Sequence, residues 1–347
     1  MFLILLVLIV ILACIFSNEK YSNGKKYFII GSAILLILYA SLRGININSD
    51  VKGYLSQYAK FSKYSFNEIL EIFKSDIKYP LFYLLGWFVS RVFPSGQVWL
   101  AFLSVLYIIA FMFLIYKESK MPLISVVVFL SLGYFTFSLT GLRQALAMTL
   151  IVPAYYFAKN SKIIKFILVV LLAYLFHNSA LIFLLIYPMR NLKLGWFHAL
   201  FIGICLAFSF IFKSEFKALI GVVFEDSYYG GYSESNKTLN FSGIIIQLAI
   251  FVFNLFYYKN VTNKSKRVMI LYNCAFLGLS FQLLSIVIAE MFRISMYFSI
   301  FNIVLIPLSI MAEPDQKWCK VEMILITVVL LAYLFVSGIP QYSFFWQ

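Results

Sequence analysis

Long runs of apolar residues succeed one another along the chain. Each approaches the ~20 residues needed to carry a helix across about 30 Å of hydrocarbon. They predict membrane spans at roughly 2–16, 27–42, 97–116, 121–139, 143–158, 195–212, 242–258, 268–289, 294–312 and 321–338. Two further apolar regions, Tyr79 to Phe93 and Ile163 to Tyr187, fit a simple crossing less well. The pattern predicts an all-α polytopic membrane protein of about 10–12 transmembrane helices, with re-entrant or short membrane helices among them. Met1 to Phe16 has no basic start and no convincing small-x-small cleavage site, so it is expected to be the first transmembrane helix and not a signal peptide.

The polar punctuation sets orientation. Lys20, Lys25 and Lys26 mark one basic loop, Lys117 and Lys120 a second, and Lys159, Lys162 and Lys165 a third. Arg190 and Lys193 mark a fourth, and Lys259, Lys264, Lys266 and Arg267 a fifth. Loops rich in Lys and Arg stay cytoplasmic, so all five are expected on one side. The third and fourth share a side only if the stretch between them enters the membrane and returns. That argument predicts a hairpin of two short membrane helices around Phe176-His177-Asn178-Ser179. The same parity leaves 79–93 as a re-entrant or interfacial element, whose backbone must be satisfied within protein. Facing outward are then 43–78, Thr140 to Arg143, the His177 tip, 213–241, Ala289 to Arg293 and the tail from Pro340. No internal repeat is visible, and 1–347 is expected to be one integral membrane domain with outward loops 43–78 and 213–241.

Composition agrees with lipid as the main solvent. Of the 347 residues, 63% are hydrophobic and 12% charged, against about 25% charged in a soluble domain; the mean hydropathy is +0.93. The net charge of +14 is what cytoplasmic loops collect, so nucleic acid is not implied. Cys14, Cys205, Cys274 and Cys319 show no CxxC spacing, which predicts neither a disulfide framework nor a zinc site. There is no GxxxxGK[ST], HExxH or GxSxG, so ATP-driven transport, metalloprotease and serine-hydrolase readings lose support.

Chemistry-bearing residues gather in the outward segments. Arg43 closes a span, and Asp50, Tyr54 and Tyr58 follow at helical spacing. They read either as a solvated helix end with a snorkelling Arg, or as a cation for phosphate beside a carboxylate and sugar-binding rings. Arg143 and Gln144 open a helix, where a cation works against the helix dipole and an added anion would resolve the conflict. His177 sits at the predicted hairpin tip among apolar residues, suited to proton transfer, to a hydrogen bond with sugar or phosphate, or to packing. His198 has no such company and reads as structural. Glu290, Arg293 and Tyr297 share a helical face, as a local ion pair or as a further cation with its orienting carboxylate. The loop 213–241 carries Tyr228 and Tyr229 among acids and glycines, as a sugar-closing loop or as plain surface.

In this order the pieces Leu42-Arg43-Gly44 with Asp50 and Tyr54, Gly141-Leu142-Arg143-Gln144-Ala145-Leu146-Ala147, Phe176-His177-Asn178-Ser179-Ala180-Leu181-Ile182, and Glu290 with Arg293 and Tyr297 resemble the EpsG-like branch of the Wzy family, the bacterial O-antigen and exopolysaccharide polymerases. The resemblance implies a GT-C-like enzyme of the bacterial inner membrane. It would transfer a growing glycan from undecaprenyl diphosphate onto an incoming lipid-linked repeat unit at the outer face. It further implies an inverting, metal-independent reaction without cofactor or nucleotide sugar. The partners implied are the undecaprenyl-diphosphate-linked oligosaccharide and membrane lipid, with room for a chain-length regulator. Arg43, Arg143, Gln144 and Arg293 are then candidates for the diphosphate. Asp50, His177 and Glu290 are candidates for the base, and Tyr54, Tyr58, Tyr228, Tyr229 and Tyr297 for the sugars. A lipid-linked oligosaccharide flippase, a membrane acyltransferase and an O-antigen ligase remain alternatives. The ligase shares the same leaving group.

Overall fold

The computed structural model describes residues 1–16, 23–44, 49–74, 78–211, 241–338 and 342–347. Among them every extended element is helical, and an isolated antiparallel bridge joins Arg43 to Phe344. The protein is an all-α, multi-pass membrane protein. Its contacts group into two compact units, one of residues 1–184 and 320–347, the other of residues 185–319.

The first unit begins with α1 (Phe2–Phe16) and α2 (Gly24–Ser41). Two short helices follow, α3 (Ser49–Phe61) and α4 (Phe66–Lys74). Then come α5 (Pro80–Val92), α6 (Gly96–Glu118), α7 (Pro122–Ser131), α8 (Tyr134–Ser138), α9 (Leu142–Lys159) and α10 (Ile163–Tyr174). The predicted span 121–139 is broken between α7 and α8. Gly133 sits there at φ 78°, a left-handed conformation that glycine adopts without steric cost. The expected hairpin is present as α10 and a 3-10 helix (Asn178–Leu185) with a turn over 175–177; α10, about 18 Å long, is too short to cross. α5 is also short, as the parity argument for 79–93 required.

Two contacts mark one end of this unit. Lys25, at the start of α2, donates to the Ser119 carbonyl at the end of α6. Lys159, at the end of α9, pairs with Glu118 at 2.6 Å. The first three basic loops therefore meet at one end of the unit. The C-terminal end of α2 and the N-terminal ends of α6 and α9 lie at the other. There Gln97 Nε2 donates to the Arg43 carbonyl at 3.0 Å.

α4 starts on a capping box. The Ser65 amide and hydroxyl both donate to Glu68 Oε2, at 2.6 and 2.7 Å. These bonds hold the Glu68 carboxyl below the usual carboxylate range. A depressed carboxylate contributes stability above its unfolded value of about 4.3, and that contribution disappears as pH falls through the lower folded value. Hydrogen exchange of the 66–74 amides should accelerate over that acid window. Ser65→Ala should speed exchange at neutral pH and flatten the acid response; an identical profile in the variant would refute the cap.

The second unit continues from α11 (Ile186–Met189) through α12 (Trp196–Ile211), α13 (Ser242–Phe256), α14 (Tyr258–Lys264), α15 (Met269–Leu284), α16 (Met291–Ser299) and α17 (Asn302–Ile310). The Leu194 amide donates to Tyr258 Oη at 3.0 Å, and Asn273 Nδ2 to the Leu192 carbonyl at 2.9 Å. The fourth basic loop is thereby joined to the helices flanking the fifth. His198 lies in the core, its Nε2 3.2 Å from Asn273 Oδ1 and its ring edge-on to Phe276, which is the structural role read for it. The last helix, α18 (Gln316–Ser337), returns to the first unit.

Hydropathy alone predicts ten full spans. Among the described residues four helices are long and apolar enough to cross, α2, α6, α18 and the continuous stretch Lys266–Leu284 that contains α15. The count rises to six if the bent pairs α13 with α14 and α16 with α17 are each one span. The others are shorter, broken, or less apolar at their ends.

Candidate functional site

At the end of the first unit away from the basic loops, the first turn of α9 presents Arg143. Its guanidinium is surrounded by four aromatic rings: Tyr54 of α3 at 5.1 Å, Tyr79 at 4.9 Å, and Phe82 and Tyr83 of α5 at 5.6 and 5.4 Å from centroid. Each such contact contributes ~0.5–2 kcal/mol according to how dry it is. Arg143 Nη2 donates to Gln57 Oε1 at 2.9 Å and to Tyr83 Oη at 3.2 Å. The residue is half-buried, and its Nε is buried without a hydrogen-bond partner among the described residues.

Among the described residues no carboxylate lies within 4.0 Å of Arg143; the two ion pairs there are Lys159–Glu118 and Arg293–Glu290. A cation withdrawn this far from water normally has a counter-charge. Its place at a helix N-terminus adds positive potential where it already stands. Rings hold the group in position without neutralising it. The chemical consequence is a fixed cation without a described counter-charge, suited to an anion that arrives and leaves.

Tyr79 links this cage to the hairpin. Its ring stacks on His177 at 5.2 Å and 11°, and the Leu81 amide donates to the Leu175 carbonyl at 3.2 Å. His177 Nδ1 lies 2.6 Å from Ser179 Oγ, which fixes the imidazole. Tyr79 caps α5 at φ 78°, just before Pro80. A left-handed tyrosine costs of order 1 kcal/mol, a cost tolerated when the surroundings over-determine it. Asp50, in the first turn of α3, is exposed one turn before Tyr54.

Other sequence candidates lie elsewhere. Arg43 is wholly buried, at 0% exposure, beneath the C-terminal segment. Its Nη1 donates to the Ala40 carbonyl and to Ser104 Oγ at 3.0 Å. The Gly44 amide donates to the Ser343 carbonyl at 2.7 Å, and the Phe345 amide to the Leu42 carbonyl at 3.0 Å. In this arrangement Arg43 caps the carbonyl end of α2 and does not face outward, a placement that favours a cation. Burial draws its pKa down to about 10. Tyr58, expected at a sugar, is 1% exposed, stacked on Trp99 at 5.2 Å, and donates to the Phe93 carbonyl at 2.5 Å. Burial raises its pKa to about 12. Tyr297 is at 0% and Gln144 at 3% exposure, both core residues without an open face. In the second unit, Arg293 pairs with Glu290 at 3.1 Å, a contact common to both readings of the pair. Tyr228 and Tyr229 lie outside the described residues.

Sequence reading missed Gln57, Tyr79, Phe82 and Tyr83. A signal existed for the last three: positions 79, 82 and 83 fall on one helical face of a segment already expected on the outer side. Neither a curated protein nor a solved structure is similar enough to match this chain. A family model matches residues 26–346, nearly its whole length, and on that match the chain belongs to the EpsG family.

Proposed function

We propose that the protein polymerises a polysaccharide at the outer face of a bacterial inner membrane. It moves a glycan from undecaprenyl diphosphate to the terminal hydroxyl of an incoming lipid-linked repeat unit. Membership of the EpsG family supports a polysaccharide polymerase-type role in general. The observation that carries the finer reading is Arg143, a cation fixed by four rings, without a carboxylate, at a helix N-terminus.

In this reaction the acceptor oxygen attacks the anomeric carbon of the donor. The bond from that carbon to the diphosphate breaks, and the electron pair leaves with the diphosphate. Negative charge grows on the leaving group, and Arg143 meets it with a guanidinium held in place by its rings, Gln57 and Tyr83. The acceptor's proton passes to a base on the same face, which we assign to His177, held against Tyr79 by stacking and by Ser179. Tyr54 and Tyr83, half-buried, offer rings to the apolar faces of the sugars. Attack from the side opposite the diphosphate inverts the anomeric centre.

The test is turnover of a synthetic polyprenyl-diphosphate repeat unit by His177→Gln. The amide keeps a polar group but cannot take the proton, so kcat should fall by on the order of 10²-fold or more with little change in KM. Unchanged kcat removes His177 from the reaction.

A further inference from the structure

A second feature of the first unit belongs to neither the Arg143 cage nor the hairpin. α1 presents a stripe of Leu3, Leu6, Val7, Val10, Ala13 and Cys14, at the spacing of one helical face. Facing α7 and α18, it lines two concavities of about 520 and 400 Å³. Leu123 and Ile124 line both, so the two are parts of one groove. Along α1 it runs from Leu3 to Phe16, about 20 Å of helix rise.

The groove has a chemical direction. Its upper compartment is apolar apart from Thr327, whose hydroxyl is engaged with the Met323 carbonyl at 2.7 Å. The lower compartment ends at Lys25. Lys25 and Lys117 both lie over the Tyr116 ring, at 5.5 and 5.8 Å, and Lys120 is close enough to repel Lys25. Of the described carboxylates near this end, Glu118 is engaged by Lys159, and Glu322 neighbours the lining residue Met323 in sequence. Among the described residues the apolar channel therefore opens onto Lys25, with Lys117 and Lys120 beside it.

We propose that the groove holds an acyl chain of an anionic glycerophospholipid, with its phosphate at Lys25. The opposite orientation, with a headgroup at the Leu3 end, finds no cation among the lining residues. That disfavours the polyprenyl-diphosphate substrate as occupant, because its head must reach the outer face. Basic pockets between membrane helices on the cytoplasmic side bind such headgroups. One wall, α1, lies before the stretch matched by the family model.

The full-length protein, purified in detergent, would be incubated with phosphatidylglycerol or with phosphatidylcholine of the same acyl chains, and retained lipid counted by native mass spectrometry. Phosphatidylglycerol should be retained at least about tenfold better. Lys25→Gln should reduce that retention about fivefold, the effect of one basic contact. Val10→Trp, which fills the groove from a lipid-facing position, should reduce it as well. Leu8→Trp, also exposed on α1 but outside the lining, should not. Equal retention of the two lipids, or wild-type retention in both Lys25→Gln and Val10→Trp, overturns the proposal. Displacement by an equimolar polyprenyl phosphate also overturns it and gives the groove to the substrate. Because the readout is bound lipid, the result is independent of whether chain growth is observed.

Discussion

Arg143→Ala is expected to slow chain growth by on the order of 10²–10³-fold while the helices stay folded. The guanidinium is the anion-binding element of the cage, and no neighbouring cation among its contacts replaces it. Its removal leaves a gap lined by Tyr54, Tyr79, Phe82 and Tyr83, rings that already pack on the core beneath them. The loss should therefore appear in turnover more than in stability. Arg143→Lys keeps the charge but not the planar fork that contacts Gln57 and Tyr83 together, so it should recover only a fraction of the rate. Initial rates with a lipid-linked repeat unit, beside thermal unfolding of the same preparations, separate the two effects. A variant that unfolds early would return Arg143 to a purely structural role.

The largest expected stability effect lies in the second unit. Gly278 of α15 sits directly on the backbone of α16. A Cβ placed there would lie 3.0 Å from both N and Cβ of Ser299 and 3.1 Å from its Cα. Ser295 Oγ donates to the Gly278 carbonyl at 2.7 Å, holding the helices at this separation. Small residues let membrane helices approach to such distances. Gly278→Val forces α16 away and should cost about 3 kcal/mol in a mixed-micelle denaturation series. A midpoint equal to that of the wild type would show that the two helices do not pack in this way.

How far the sequence reaches can be judged from particular residues. Arg143 was readable because its position opposes the helix dipole whatever the neighbours are. The hairpin at His177 and the non-spanning 79–93 were readable because parity is a counting argument. The cage itself was not, since Gln57 and Tyr83 meet Arg143 across 86 and 60 residues. Tyr297 was misjudged because in a membrane helix the lipid face and the core face are both apolar, so periodicity does not tell which side is covered. Tyr58, on the polar helix α3, was misjudged because Trp99, which covers it, lies 41 positions away. The carbonyl cap on Arg43 depends on residues 343–345, three hundred positions away in sequence. Breaks at Gly133 and in the bent pairs leave no mark on a hydropathy profile, which is why ten uniform spans were expected.

The central claim is that Arg143 serves a lipid diphosphate during glycan transfer. The most direct measurement gives the purified protein a polyprenyl-diphosphate repeat unit as its one glycan source and sizes the products by gel and mass spectrometry. Wild type should give a ladder of multiples of the repeat unit, reduced to the starting material by Arg143→Ala. A wild type that forms no ladder, or a ladder unaltered in Arg143→Ala, would contradict it.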